Sequence, residues 1–187
     1  MTLVGGLREL LRPPPHRVPL IASGGVALAV GVALTVLRLG DRLPRGVGVA
    51  ILLAGGALLY WLGAQGPNED GRPPAYQSVL IATALPLVFA ALVVLGSGYG
   101  VPEAGTLLWA SLVVSAPALW AAFARNSAVS LLIAAILGGV ALRAGCVVAF
   151  GSTSRALFAL YALALVLCAL ALRERARRHS EVLIDAA

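Results

Sequence analysis

The sequence has 187 residues, of which 60% are hydrophobic and only 12% are charged, with a net charge of +6. A soluble domain is about half apolar and about a quarter charged, and a disordered chain combines low hydrophobicity with high charge, so both classes are excluded. With only two Cys, the chain is not a disulfide scaffold either. The composition predicts an all-α membrane protein that crosses the bilayer several times.

Six apolar segments are long enough to cross a hydrocarbon layer of roughly 30 Å, which takes about 20 helical residues. Turn-forming and charged residues separate them. We therefore predict a polytopic bundle of six helices over residues 18–172, after a segment at 1–17 and before a basic tail at 173–187. The predicted spans are residues 18–37, 46–63, 78–95, 105–124, 127–150 and 156–172.

The positions of the basic residues predict the orientation in the membrane. All 14 are Arg; with six spans, nine of them fall on the side of the two termini and four on the opposite side. Because basic residues favour the cytoplasmic side, we expect both termini in the cytoplasm and the chain in the cytoplasmic (inner) membrane. These Arg residues flank apolar spans and form no patch, so we expect membrane lipids as partners and no nucleic acid.

Small residues recur at helical spacing in two of the spans. The first and fifth spans share the pattern G-G-V-A-L-x-x-G, which places three small residues on one helix face, where backbones can approach closely. The interpretations are a duplicated helix-pair unit, a homo-oligomer or subunit contact, and chance repetition in a chain rich in Gly, Ala, Val and Leu. Gly48 and Gly55 give the second span the same seven-residue interval. The repeated residues are a first-span row, Gly24, Ala27 and Gly31, and a fifth-span row, Gly138, Ala141 and Gly145.

The one arginine on neither side of the predicted membrane is Arg143, which lies inside a span. A charged residue in a span is by default a functional-site hypothesis. No Asp, Glu or His lies within any span to pair with it. At 1.5 Å per residue, Arg143 lies about 11 Å below the outer end of its helix, at a depth similar to Tyr161. One interpretation is that it extends to lipid headgroups or bonds Tyr161, Ser115 or a backbone carbonyl. The other is an outer anion or lipid-headgroup site with Tyr161, Ser115 and Glu103, the nearest outer acid.

Catalytic patterns are absent from the sequence. The two His, His16 and His179, lie at the flanks without Cys, Asp or Glu at metal-ligand spacing. Neither a G-x-S-x-G motif nor a phosphate-binding loop is present. We therefore expect no catalytic residue, no metal and no cofactor.

Three stretches within residues 21–132 are similar to a bacterial family of membrane proteins of unknown function. They are the turn at 37–45, with an Asp before a Pro/Arg stretch, the Leu-Trp at 108–109, and the tight turn at 124–128. The sequence lacks the Trp that the family has before Asp41 and its cytosolic helical region. The G-G-V-A-L-x-x-G repeat also resembles the six-span acid-stress membrane protein family. Both resemblances imply a bacterial integral membrane protein, and neither implies a mechanism.

Two functions follow as the main hypotheses, and a membrane enzyme that acts on lipid substrates is a third. The first is a non-enzymatic accessory or structural membrane component that associates through Gly/Ala rows. The alternative is a small transporter or channel with an anion or lipid-headgroup site near Arg143. The transporter hypothesis predicts a water-accessible cavity that reaches Arg143 and is faced by Ser111, Ser115 and Tyr161.

Overall fold

A computed structural model describes residues 18–39, 42–65, 74–151, 155, 157–160, 162–164 and 166–167. The predicted segments 1–17 and 173–187 lie outside these residues. Within them, all regular secondary structure is helical and no strand occurs. The five helices with defined ends are α1 (Val18–Leu39), α2 (Arg45–Gln65), α3 (Ala75–Gly98), α4 (Glu103–Ala124) and α5 (Ala128–Phe150).

The first five predicted spans are confirmed as helices, with ends within three residues of the predicted ones. Each of the five is long and apolar enough to cross a membrane. The count of six is not confirmed, because the predicted span 156–172 is described only in part. Its described residues, 157–160, 162–164 and 166–167, are helical.

The chain divides into two compact units, residues 1–91 and 92–187. In the first unit, α2 packs on α3 through two glycines that are seven residues apart. A Cβ built on Gly56 would lie 2.7 Å from Val88 Cγ2, and one on Gly63 would lie 2.8 Å from Ile81 Cγ1. Distances this short leave no room for a methyl group, so α2 and α3 approach with backbone against backbone.

A second glycine row on α2 contacts α1. A Cβ on Gly55 would lie 3.3 Å from Val32 Cγ2, and one on Gly48 would lie 3.5 Å from Val36 Cγ1. These are the two glycines at seven-residue spacing in the predicted second span. Each glycine row of α2 therefore has its own neighbour, and α1 also contacts α3 directly, where Gly25 packs against Leu80.

In the second unit, α4 and α5 form an antiparallel helix pair joined by a turn of three residues. Asn126 adopts a positive φ of 54°, which reverses the chain. Ser127 then caps α5, since its Oγ accepts a hydrogen bond from the backbone N–H of Ser130 at 3.3 Å. Alanines and a valine on α4 make the buried face of this pair, with exposures of 1% or less: Ala110, Val114, Ala118, Ala121 and Ala122.

Candidate functional site

A cavity of about 230 Å³ lies beside the first turns of α4 and the last turns of α5. Its residues are spaced by three or four on each helix, so each helix contributes one face. We call it the Arg143 cavity. Its lining residues are Glu103, Ala104 and Leu107 of α4 and Val140, Arg143, Ala144 and Val147 of α5.

The helix pair determines which residues meet in the Arg143 cavity. The short turn between Ala124 and Ala128 makes α4 and α5 run in opposite directions, so the start of α4 lies beside the end of α5. Gly145 of α5 lies beside Leu108 of α4, because a Cβ there would be 3.6 Å from Leu108 Cδ1. Glu103 and Arg143, 40 residues apart in sequence, therefore line one cavity.

The two charged side chains of this cavity have opposite sign, and both are exposed. Arg143 lies seven residues before the end of α5, and Glu103 is the first residue of α4. Within the described part of the chain, no ion pair or hydrogen bond engages either side chain. A carboxylate and a guanidinium that are not joined to each other can both contact a third molecule.

Another predicted site residue, Ser115, does not join Glu103 and Arg143 in this cavity. Ser115 is half-buried, and its Oγ donates a hydrogen bond of 2.9 Å to the carbonyl oxygen of Leu112 in its own helix. It does not line the Arg143 cavity. Tyr161 lies outside the described residues.

Ser111, which the transporter hypothesis places in a water-accessible cavity, has an exposed fraction of 0%. Its Oγ has no hydrogen-bond partner among the described residues. Ser111 also does not line the Arg143 cavity. Among the described residues that the sequence analysis associates with Arg143, only Glu103 lines the same cavity.

The predicted small-residue rows differ from the glycines that make close contacts in the described part of the chain. In the first-span row, a Cβ on Gly24 or Gly31 would meet no heavy atom within 4 Å, and Ala27 is exposed. The neighbour of Gly24, Gly25, packs against Leu80 and lies 3.6 Å, measured from its Cβ position, from Leu59 Cδ2. The contact of the first-span row with another subunit stays a prediction.

The fifth-span row is divided between two environments. Ala141 is buried, at 8% exposure, and Gly145 lies beside Leu108. A Cβ on Gly138 would meet no heavy atom within 4 Å among the described residues.

Sequence reasoning missed the apolar wall of the Arg143 cavity. Leu107 lies four residues after Glu103, and Ala144 and Val147 lie one and four residues after Arg143. The helical spacing from each charged residue was the signal that could have found them.

The five helices are long and apolar enough to cross a membrane, which is the pattern of a multi-pass membrane protein. No protein-family model, no curated protein and no solved structure matches the chain. Within the described ranges, no group of three or more His, Cys, Asp or Glu side chains is placed to hold a metal ion. The functional argument therefore starts from the Arg143 cavity.

Proposed function

We propose that this protein is a non-enzymatic accessory component of a bacterial inner membrane that holds a lipid headgroup or another anion at the Arg143 cavity. The bacterial setting is supported by the sequence resemblance, and the cytoplasmic placement of both termini by the distribution of Arg. The function rests on one observation: Arg143 lines a cavity beside an apolar wall without an ion-pair partner among the described residues.

The physical reason is the cost of a charge inside a span. On insertion scales an Arg near the centre of a transmembrane helix costs about 2.5–3.5 kcal/mol, and less towards the end, because its long side chain reaches the interface. Arg143 starts about 10 Å from the end of α5. A phosphate in the cavity would offset that cost, since a guanidinium binds a phosphate through two parallel hydrogen bonds.

Transport is the second candidate function. It is favoured by the same cavity, which would hold an anionic substrate at Arg143 from the outer side. It requires that this site also opens to the cytoplasmic side, past residues such as Ser111 and Ser115 on α4. A headgroup site needs access from one side only.

Thiol labelling separates the two functions. In a variant without Cys146 and Cys168, Arg143→Cys is treated with a membrane-impermeant thiol reagent from either side of oriented vesicles. We expect labelling from the outer side alone for a headgroup site and from both sides for a transporter. Ala141→Cys, a buried position on the same helix at 8% exposure, is the unlabelled control. Labelling from neither side contradicts both functions at this cavity.

A fused reporter enzyme tests the orientation. A reporter placed after Asp185 is expected to be cytoplasmic, and one inserted at Gly100, in the exposed turn between α3 and α4, is expected to be external. An external signal from the fusion after Asp185 would overturn the proposed topology.

A further inference from the structure

Building on the proposed headgroup site, we infer that the Arg143 cavity selects a zwitterionic phospholipid headgroup with a free ammonium group, of the phosphoethanolamine type. In this arrangement the phosphate pairs with Arg143 and the ammonium with Glu103. The juxtaposition of these two oppositely charged side chains in one cavity, each without an ion-pair partner among the described residues, carries the inference.

The charges of the cavity favour a ligand that carries both signs. A simple anion gains from Arg143 but is repelled by Glu103, and desolvating either charge without a partner is costly. A molecule with a phosphate and an ammonium offers each side chain an opposite charge. The cavity and its ligand together are then neutral, which favours their burial at the edge of the hydrocarbon layer.

The depths of the two residues match the order of groups in a phospholipid. Glu103 begins α4 and therefore lies at the membrane surface, whereas the backbone of Arg143 lies about 10 Å deeper than the end of α5. The Arg side chain extends from there towards the surface. In a phospholipid, the phosphate is bonded to the glycerol that carries the acyl chains, and the ammonium is at the far end of the headgroup, so an ammonium at Glu103 leaves the phosphate on the side of the acyl chains.

The apolar lining continues this order inward. Leu107 lies about 6 Å below Glu103, and Val140 lies about 15 Å below the end of α5, both calculated from the helical rise. These side chains give the glycerol region of the lipid an apolar surface. At about 230 Å³, the cavity is smaller than the roughly 300–1,000 Å³ of pockets that enclose a drug-sized ligand, so it has room for a headgroup but not for the acyl chains.

Native mass spectrometry of the full-length protein tests this selection. The protein is purified in a neutral detergent with equal amounts of phosphatidylethanolamine, phosphatidylglycerol and phosphatidylcholine, and the lipids that remain bound are counted. We expect phosphatidylethanolamine to be retained preferentially. Phosphatidylglycerol has no ammonium, and the methylated ammonium of phosphatidylcholine has no N–H to donate to Glu103.

Three variants assign the two charges. Arg143→Gln is expected to lower retention of phosphatidylethanolamine by about tenfold, because a charge-assisted contact to the phosphate is lost. Glu103→Gln is expected to change the preference to phosphatidylglycerol. Arg143→Lys keeps the positive charge and is expected to retain part of the binding, which separates a lost contact from a lost fold. Arg45→Gln, an exposed arginine at the start of α2, is the matched control and is expected to bind like the wild type.

The remaining outcomes are equally decisive. Equal retention of phosphatidylglycerol and phosphatidylethanolamine, both lost in Arg143→Gln, would overturn the selection of a zwitterion and leave an anion site. Lipid retention that does not depend on Arg143 would overturn the proposed function as well.

A swapped variant, Glu103→Arg with Arg143→Glu, reverses the depth order of the two charges and is expected to lose the preference for phosphatidylethanolamine. A preserved preference contradicts the assigned orientation. Displacement by equimolar soluble glycerophosphoethanolamine would identify a soluble zwitterion, and not a lipid, as the ligand.

Discussion

Gly56 of α2 lies directly against the backbone of α3 at Ala84: a Cβ on Gly56 would be 3.2 Å from the carbonyl oxygen of Ala84. The carbonyl cannot move without displacing its helix. The close contact between α2 and α3 therefore requires glycine at position 56, because a larger side chain would collide with the backbone of α3.

We expect Gly56→Ala to destabilise the protein by about 1–3 kcal/mol, the usual cost of inserting a methyl group into a packed contact. Gly31→Ala is the matched control, because a Cβ there meets nothing within 4 Å among the described residues. Both variants gain the same helix propensity, about 1 kcal/mol, so their difference reports the contact with α3. Thermal unfolding in detergent measures it. Equal midpoints in the two variants would contradict the close approach.

A second close approach lies in the other unit, where a Cβ on Gly96 would be 2.6 Å from Thr106 Cγ2 and 3.1 Å from Trp109 Nε1. Gly96→Ala is expected to lower stability and to change the fluorescence of Trp109. Thr106→Ala removes the nearest atoms, together with the hydrogen bond of 3.2 Å that Thr106 donates to the carbonyl oxygen of Val101. The double variant should therefore lose less stability than the sum of the single variants. Additive losses would show that the two residues do not touch.

The cap of α5 is a further test. Ser127 is 1% exposed and accepts hydrogen bonds from the N–H of Ser130 and, at 3.0 Å, from its hydroxyl. We expect Ser127→Ala to cost roughly 0.5–2 kcal/mol, the range measured for lost N-caps. Ser23→Ala, which removes an exposed hydroxyl bonded within α1, should cost much less. Unfolding midpoints of the two variants provide the comparison, and a smaller loss at Ser127 would count against the cap.

The turn before α5 requires a left-handed backbone at Asn126, with φ of 54°. Asn126→Gly and Asn126→Ala both remove the side chain, so their difference isolates the backbone. We expect the alanine variant to be less stable than the glycine variant by about 1–2 kcal/mol, the cost of this conformation for a residue with a Cβ. Chemical unfolding in detergent measures the difference, and an alanine variant as stable as the glycine variant would contradict the turn geometry.

The spans could be predicted from the sequence because length and apolarity alone determine them. The glycines that contact neighbouring helices could not be predicted in the same way. The repeat G-G-V-A-L-x-x-G points to Gly24 and Gly31, yet Gly25 is the residue in contact with Leu80. Adjacent residues on a helix point in directions about 100° apart, and α1 has apolar residues on all sides. Since lipid and the protein interior are equally apolar, the sequence carries no mark of the inward face.

The Arg143 cavity was predictable in part. Glu103 follows from the chain order, since the start of α4 must lie beside the end of α5 in an antiparallel pair. Ser115 was expected from its polarity, but its hydroxyl is engaged by Leu112 in its own helix. A hydrogen bond of this kind satisfies the serine hydroxyl within its own helix. A polar residue type therefore does not by itself predict a contact with another helix.

The four glycines of α2 that contact its neighbours also affect the side-chain entropy that is lost when the helices associate. Fixing a rotamer-rich side chain costs up to about 2 kcal/mol, whereas glycine has no side-chain rotamers to lose. Gly48, Gly55, Gly56 and Gly63 therefore bring α2 against α1 and α3 without that loss on their own side of the contact. Inside a membrane, water does not drive apolar groups together. The smaller loss of side-chain entropy therefore favours the association of helices that form no polar contacts.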